Sequence, residues 1–122
     1  MELSIQVIGF CISLIGILIA VAGRKELGAN WTHAREYQVK RRHELVETGI
    51  YRYIRHPIYT GFAVYLIGAE LVAKSWLVIP IVLIAFSGAY IQGKREEKLL
   101  LAHFGKQYKQ YMRRSKMLIP FV

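Results

Sequence analysis

From Leu3 to Gly23 the chain carries no charged side chain. A helix of that length rises about 30 Å at about 1.5 Å per residue, the thickness of a bilayer's hydrocarbon core. Residues 75–93 form a second charge-free run, and residues 58–73 a shorter apolar one that includes Glu70. Backbone polar groups in hydrocarbon find no water to bond, so runs of this kind are restricted to helices. The fold class expected is therefore an all-α integral membrane protein of about three transmembrane helices. It has one N-terminal span, residues 3–23, and a helical hairpin, residues 58–73 and 75–93, with its tip at Lys74-Ser75. A polar loop, residues 24–57, and a C-terminal segment, residues 94–122, complete a single domain over residues 1–122. The rival reading of the first run is a signal peptide, because Ala20-Val21-Ala22 resembles a cleavage site. Glu2 in place of a basic n-region and the length of the run argue against it.

The formal charge of +9 raises nucleic acid as a partner, but its distribution points elsewhere. Eight Lys/Arg lie between Arg24 and Arg55, Lys74 stands alone, and eight lie between Lys94 and Lys116. Such blocks alternating with apolar runs are loop charge on one side of a bilayer. The expectation is a multi-pass protein with both basic blocks cytoplasmic, and the N-terminus and Lys74 outside, which an odd number of spans satisfies. Membrane lipid is an expected partner and nucleic acid is not. Cys11 is the single cysteine, so no disulfide framework can form. His33, His43, His56 and His103 are scattered, and no metal is expected. Gly9, Ser13, Gly16, Ala20 and Gly23 recur four, three, four and three apart, giving the first helix one face of small side chains suited to close helix approach. Packing within the chain is favoured, with a homodimer seam as the alternative.

Polar chemistry concentrates in residues 43–61, HELVETGIYRYIRHPIYTG. Pro57 suits the first position of a helix. The free N–H groups there and the partial positive charge of a helix start favour an anionic group, and Arg55 offers a bidentate clamp. The bland alternative is that Arg55, His56 and the nearby tyrosines are interfacial anchors. Glu96-Glu97 stand just beyond the third apolar run. Neighbours on a helix diverge by about 100°, so one is expected to face the site and the other to meet solvent or a cation. An anion site opposite a carboxylate suits an α-amino-acid moiety; the alternative is a solvated KREEK charge run. No GxGxxG, P-loop or HExxH motif occurs, so soluble nucleotide-binding folds have no support. After Gly93 a helix is expected to continue to about Phe104 with Gly105 as its stop. A second short helix then places Tyr108, Tyr111 and Met112 on one face and Lys106, Lys109 and Arg113 on others, lying at the interface against anionic lipid.

GxYRYxRHPxYxG from Gly49 to Gly61, then Glu96-Glu97, then HFGxxYxxYxxR and Ile119-Pro120, together resemble the isoprenylcysteine carboxyl methyltransferase family, whose wider relatives are the membrane phospholipid N-methyltransferases. The LGANW and HELVETG segments extend the resemblance over roughly Gly23 to Pro120. It implies an integral membrane enzyme binding S-adenosyl-L-methionine in a cytosol-facing pocket built by the polar loop, the hairpin and the C-terminal segment. It further implies cofactor contacts at His43, Glu44, Leu45, Val46, Tyr51, His56, Pro57, Ile58, Tyr59 and Glu96, with Glu97 as companion. At the position of a substrate-contacting arginine in eukaryotic members stands Gln92, which weighs against a prenylcysteine carboxylate as acceptor.

The function expected is methyl transfer from S-adenosylmethionine to a lipophilic small-molecule or lipid-modified acceptor, with Arg55 and Glu97 as the candidate catalytic residues and Gln92 as the candidate substrate residue. A nicotinamide-dependent reductase of the sterol type and a non-enzymatic basic membrane protein are the alternatives.

Overall fold

The computed structural model describes residues 2–28, 45–74 and 76–119. It contains four α-helices, α1 (Glu2–Leu27), α2 (Pro57–Val72), α3 (Val78–Phe104) and α4 (Lys106–Arg113), with a 3-10 turn at Gly49–Arg52 ahead of α2. The chain is all-helical, apart from one isolated pairing of Ile54 with Lys116 among the described residues. Of the expected site residues, His43 and Glu44 lie outside the described residues, as do residues 29–44 of the polar loop.

The small face of α1 packs within the chain, antiparallel to α2. A Cβ at Gly16 would come within 2.4 Å of the Tyr65 nitrogen and 2.6 Å of the Gly61 oxygen, and one at Gly9 within 2.8 Å of the Gly68 oxygen. One at Gly68 would meet Ser13 Oγ at 2.3 Å. The two backbones thus touch at glycines from both sides, which maximises dispersion contact where lipid supplies no hydrophobic drive. Ser13 adds a hydrogen bond from Oγ to the Tyr65 carbonyl at 3.0 Å. At the far end Gly23 lies against Pro57 and Ile58. The rest of α1 points outward, with Phe10 63% exposed.

Of the described helices, α1 is long and apolar enough by itself to cross a membrane, and α2 is a shorter apolar helix. The hairpin runs one residue early in α2 and starts later in α3 than the apolar runs suggest. Lys74, at φ 55°, sits in the turn, and Trp76 and Leu77 precede α3 as further turn residues. Pro80 falls in the first turn of α3, where no helical hydrogen bond is lost. Beyond Gly93 the helix continues unbroken through the charged KREEK to Phe104 and stops at Gly105, φ 58°.

Burial is inverted relative to a water-soluble domain. The apolar helix surfaces are exposed, whereas Tyr51, His56, Thr60, Glu96, Glu97, Tyr108, Tyr111 and Ser115 are buried. These polar groups cluster where the end of α1, the start of α2 and the middle of α3 meet.

Candidate active site

A segment near the C-terminus folds back along the residues leading into α2. Lys116 N–H donates to the Tyr53 carbonyl at 2.9 Å, Arg55 N–H to the Lys116 carbonyl at 2.8 Å, and His56 N–H to the Met117 carbonyl at 3.1 Å. Thr60 Oγ1 donates to the Leu118 carbonyl at 2.7 Å. Backbone groups that a lone turn leaves unpaired are satisfied here by a partner sixty residues away in sequence. Tyr111 of α4 donates its hydroxyl to the Tyr51 carbonyl at 2.7 Å, closing the bracket on its other side.

Inside this bracket Arg55 Nε donates to Glu97 Oε2 at 2.7 Å, while its Nη1 donates to the carbonyls of Ser115 at 2.9 Å and Met112 at 3.2 Å. His56 lies between the two glutamates, with Nε2 3.0 Å from Glu97 Oε2 and Nδ1 3.7 Å from Glu96 Oε2. Its ring stacks on Tyr59, with centroids 5.8 Å apart. Tyr59 donates its hydroxyl to Glu96 Oε1, and Gln92, one turn earlier on α3, donates to the same oxygen at 3.4 Å. Tyr108 of α4 donates to Glu97 Oε2 at 3.4 Å. The approach of α3 depends on Gly93, where a Cβ would stand 3.0 Å from His56 Cδ2 and 2.7 Å from Met117 Cε.

The two carboxylates diverge as helix geometry requires, yet both are buried, because different elements flank α3 at this point: α2 receives Glu96, and Arg55 with α4 receives Glu97. Their electrostatics diverge too. Burial pushes the Glu96 carboxyl above the ordinary range, against the lowering effect of the Tyr59 hydroxyl and the nearby His56. Burial alone would also raise Glu97, but hydrogen bonds from His56 and Arg55 outweigh it and hold that carboxyl at about 2. Glu97 is therefore a fixed negative charge at neutral pH, and Glu96 is biased toward holding a proton.

One oxygen of this anion is left over. Glu97 Oε1 is buried and has no hydrogen-bond partner among the described residues, with the Lys94 ammonium 3.7 Å away. A buried anionic oxygen without a donor is costly, so the site is suited to a group bearing N–H or positive charge.

Thus Arg55, His56, Tyr59, Gln92, Glu96 and Glu97 come together around the start of α2. Tyr51 is buried next to them with its carbonyl bound by Tyr111. The side chains of Pro57 and Ile58 pack against Gly23 of α1. Leu45 and Val46 are half-buried outside regular structure. The sequence reading missed Thr60, Tyr108 and Ser115. Tyr108 and Tyr111 share one face of α4 as expected, and that face turns onto the site. Their three-residue spacing shows a face and does not say what covers it.

Comparison with known proteins matches residues 5–107 to a family described as phospholipid methyltransferase. A protein-S-isoprenylcysteine O-methyltransferase of Tribolium castaneum is 31% identical over 94% of this chain and 41% of its own length. A probable protein-S-isoprenylcysteine O-methyltransferase of Oryza sativa subsp. indica is 28% identical over 97% of this chain and 62% of its own. The solved structure of a eukaryotic intramembrane Ras methyltransferase, isoprenylcysteine carboxyl methyltransferase, superposes with a TM-score of 0.88 at 29% identity, over 97% of this chain and 43% of that one. The chain spans between two fifths and about three fifths of the length of these relatives.

Proposed function

Because this chain belongs to the phospholipid methyltransferase family of integral membrane proteins, we propose that it is an S-adenosylmethionine-dependent methyltransferase acting on a lipophilic acceptor. The observation that carries this reading is the meeting of the His56 turn with Glu96 and Glu97, forty residues apart in sequence, in one buried polar cluster at a helix start. In this reading the membrane is crossed three times, by α1, α2 and the apolar half of α3, and the clustered end faces the cytoplasm. Gly23, His56 and Gly93 all lie at that end, as the distribution of Lys and Arg requires.

Glu97 Oε1, which has the Lys94 ammonium nearby but accepts no hydrogen bond from the described residues, fits a cationic ligand, and the main-chain N–H groups at the start of α2 fit an anionic one. S-adenosylmethionine carries both in its amino-acid portion. When bound, it supplies a methyl group already activated by its sulfonium, so the protein's task is alignment and exclusion of water. Glu96, with Tyr59 and Gln92 bonded to it, and the main chain around Leu45, Val46, Tyr51, His56, Pro57 and Ile58 are assigned to holding the cofactor. The His43 and Glu44 assignments rest on the sequence pattern. Tyr59 has a ring face suited to a cationic sulfur.

Glu97 accepts protons poorly at neutral pH because its carboxyl is held so low, so it acts through charge and position and not as a base. Arg55 donates four hydrogen bonds, one to Glu97, one to Met112 and two to Ser115, and fixes the C-terminal segment over the cluster. A carboxylate acceptor requires no base at all. Gln92 is neutral and half-buried, so an anionic acceptor receives no cation from that position.

Calorimetric titration of the protein in lipid nanodiscs with S-adenosylhomocysteine tests the reading. Saturable binding is expected, and so is incorporation of labelled methyl into the lipid phase of membranes given methyl-labelled cofactor. Protection by nicotinamide dinucleotide instead, with no response to S-adenosylhomocysteine, would replace methyl transfer by reduction.

A further inference from the structure

Beside the C-terminal bracket lies a cavity of about 220 Å³, lined by Tyr53, Arg113, Arg114, Ser115 and Lys116. Three of its five walls are cationic. Arg114 is paired with Glu47, whereas Arg113 and Lys116 have no acidic partner among the described residues. Tyr53, half exposed at 50%, closes the cavity on the side of the α2 entry turn, four residues before the apolar helix begins. That height is where α1 ends in Arg24 and Lys25 and where α3 leaves its apolar half at Lys94. In a bilayer this is headgroup depth, and the anion present there at high concentration is the phosphate of a lipid.

We propose that this cavity is a binding site for the phosphate of an anionic lipid headgroup, held by Arg113, Lys116 and the Tyr53 hydroxyl. Arg supplies a planar fork suited to phosphate and Lys a point charge, and the phenol adds one O–H donor. The site is built on the backbone that positions the catalytic cluster. Lys116 N–H donates to the Tyr53 carbonyl, the Lys116 carbonyl accepts from Arg55 N–H, and the Ser115 carbonyl holds Arg55. A lipid seated in the cavity therefore fastens the C-terminal segment over Glu97, so that anionic lipid stabilises the folded site and tightens whatever it binds.

This inference rests on headgroup depth and not on the methyl-transfer reading, and its test uses stability as the readout. The full chain is melted in nanodiscs of phosphatidylcholine alone and of phosphatidylcholine with phosphatidylglycerol. A rise of about 3–5 °C is expected with phosphatidylglycerol, reduced by raised salt and abolished in Arg113→Gln and Lys116→Gln. Lys109→Gln, a basic residue of the same helix outside the cavity, should retain the full rise. A rise lost equally in Lys109→Gln would overturn the site in favour of diffuse surface charge, and no rise in the parent protein would overturn it outright. Inorganic phosphate reproducing the rise in phosphatidylcholine would overturn lipid as the source.

Discussion

Glu96 and Glu97 are adjacent in sequence and opposite in energetic role. Glu97 is held far below its ordinary titration range, so it stabilises the fold above pH about 4.5, and that contribution is lost as pH falls from there toward 2. Acid melting of the wild type should therefore steepen across this window, and Glu97→Gln should remove that steepening. The same variant strands Arg55 and His56 and should cost about 3 kcal/mol near neutral pH, read as a lower melting temperature in detergent. Glu96 has the reverse sign. Its raised pKa means that stability is fullest while it is protonated and declines as pH rises through the raised value. Glu96→Gln should raise stability at neutral pH by about 1 kcal/mol, while weakening S-adenosylhomocysteine at least about tenfold by calorimetry; a variant that binds normally would remove Glu96 from the cofactor site. The residue pattern allowed both glutamates to be named from the sequence. It could not say that both turn inward, because that depends on Arg55 and His56, 42 and 41 residues before Glu97, and on Tyr108 eleven residues after it, with no local signal to announce them.

At the level of helices, the packing face of α1 was readable because small residues at alternating spacings of four and three can line only one face. Its partner was readable only in outline: Gly61 and Gly68 on α2 complete the contact, and a single sequence does not state which helix meets which. Gly16→Leu places a side chain where the Tyr65 nitrogen and the Gly61 oxygen already lie within 2.6 Å of a Cβ. The helices must separate, and a loss of about 3 kcal/mol or more is expected, measured as a fall in melting temperature. Gly88→Leu on α3, where no atom lies within 4 Å, should leave the melting temperature within about a degree and serves as the control. The span boundaries were less legible, since hydropathy ends at Gly93 while the helix that carries Glu96 and Glu97 runs on to Phe104.

For the whole molecule, orientation is the property that joins sequence and site. Cys11 is the one native cysteine, so a Cys11→Ser background accepts single reporters cleanly. In intact cells Lys74→Cys should react with a membrane-impermeant maleimide, and Lys98→Cys only after permeabilisation. Labelling of both from outside would contradict a three-span arrangement with a cytoplasmic site. The pairing of residues 53–56 with 116–117 has a further consequence for how such a protein matures. The three apolar segments precede that stretch in the chain and can insert first, yet the bracket that holds Arg55 and His56 in place is not closed until residues 116–117 follow. A nascent chain is thus structurally membrane-resident while still functionally blank, and ripening of the cleft is a separate event that follows insertion.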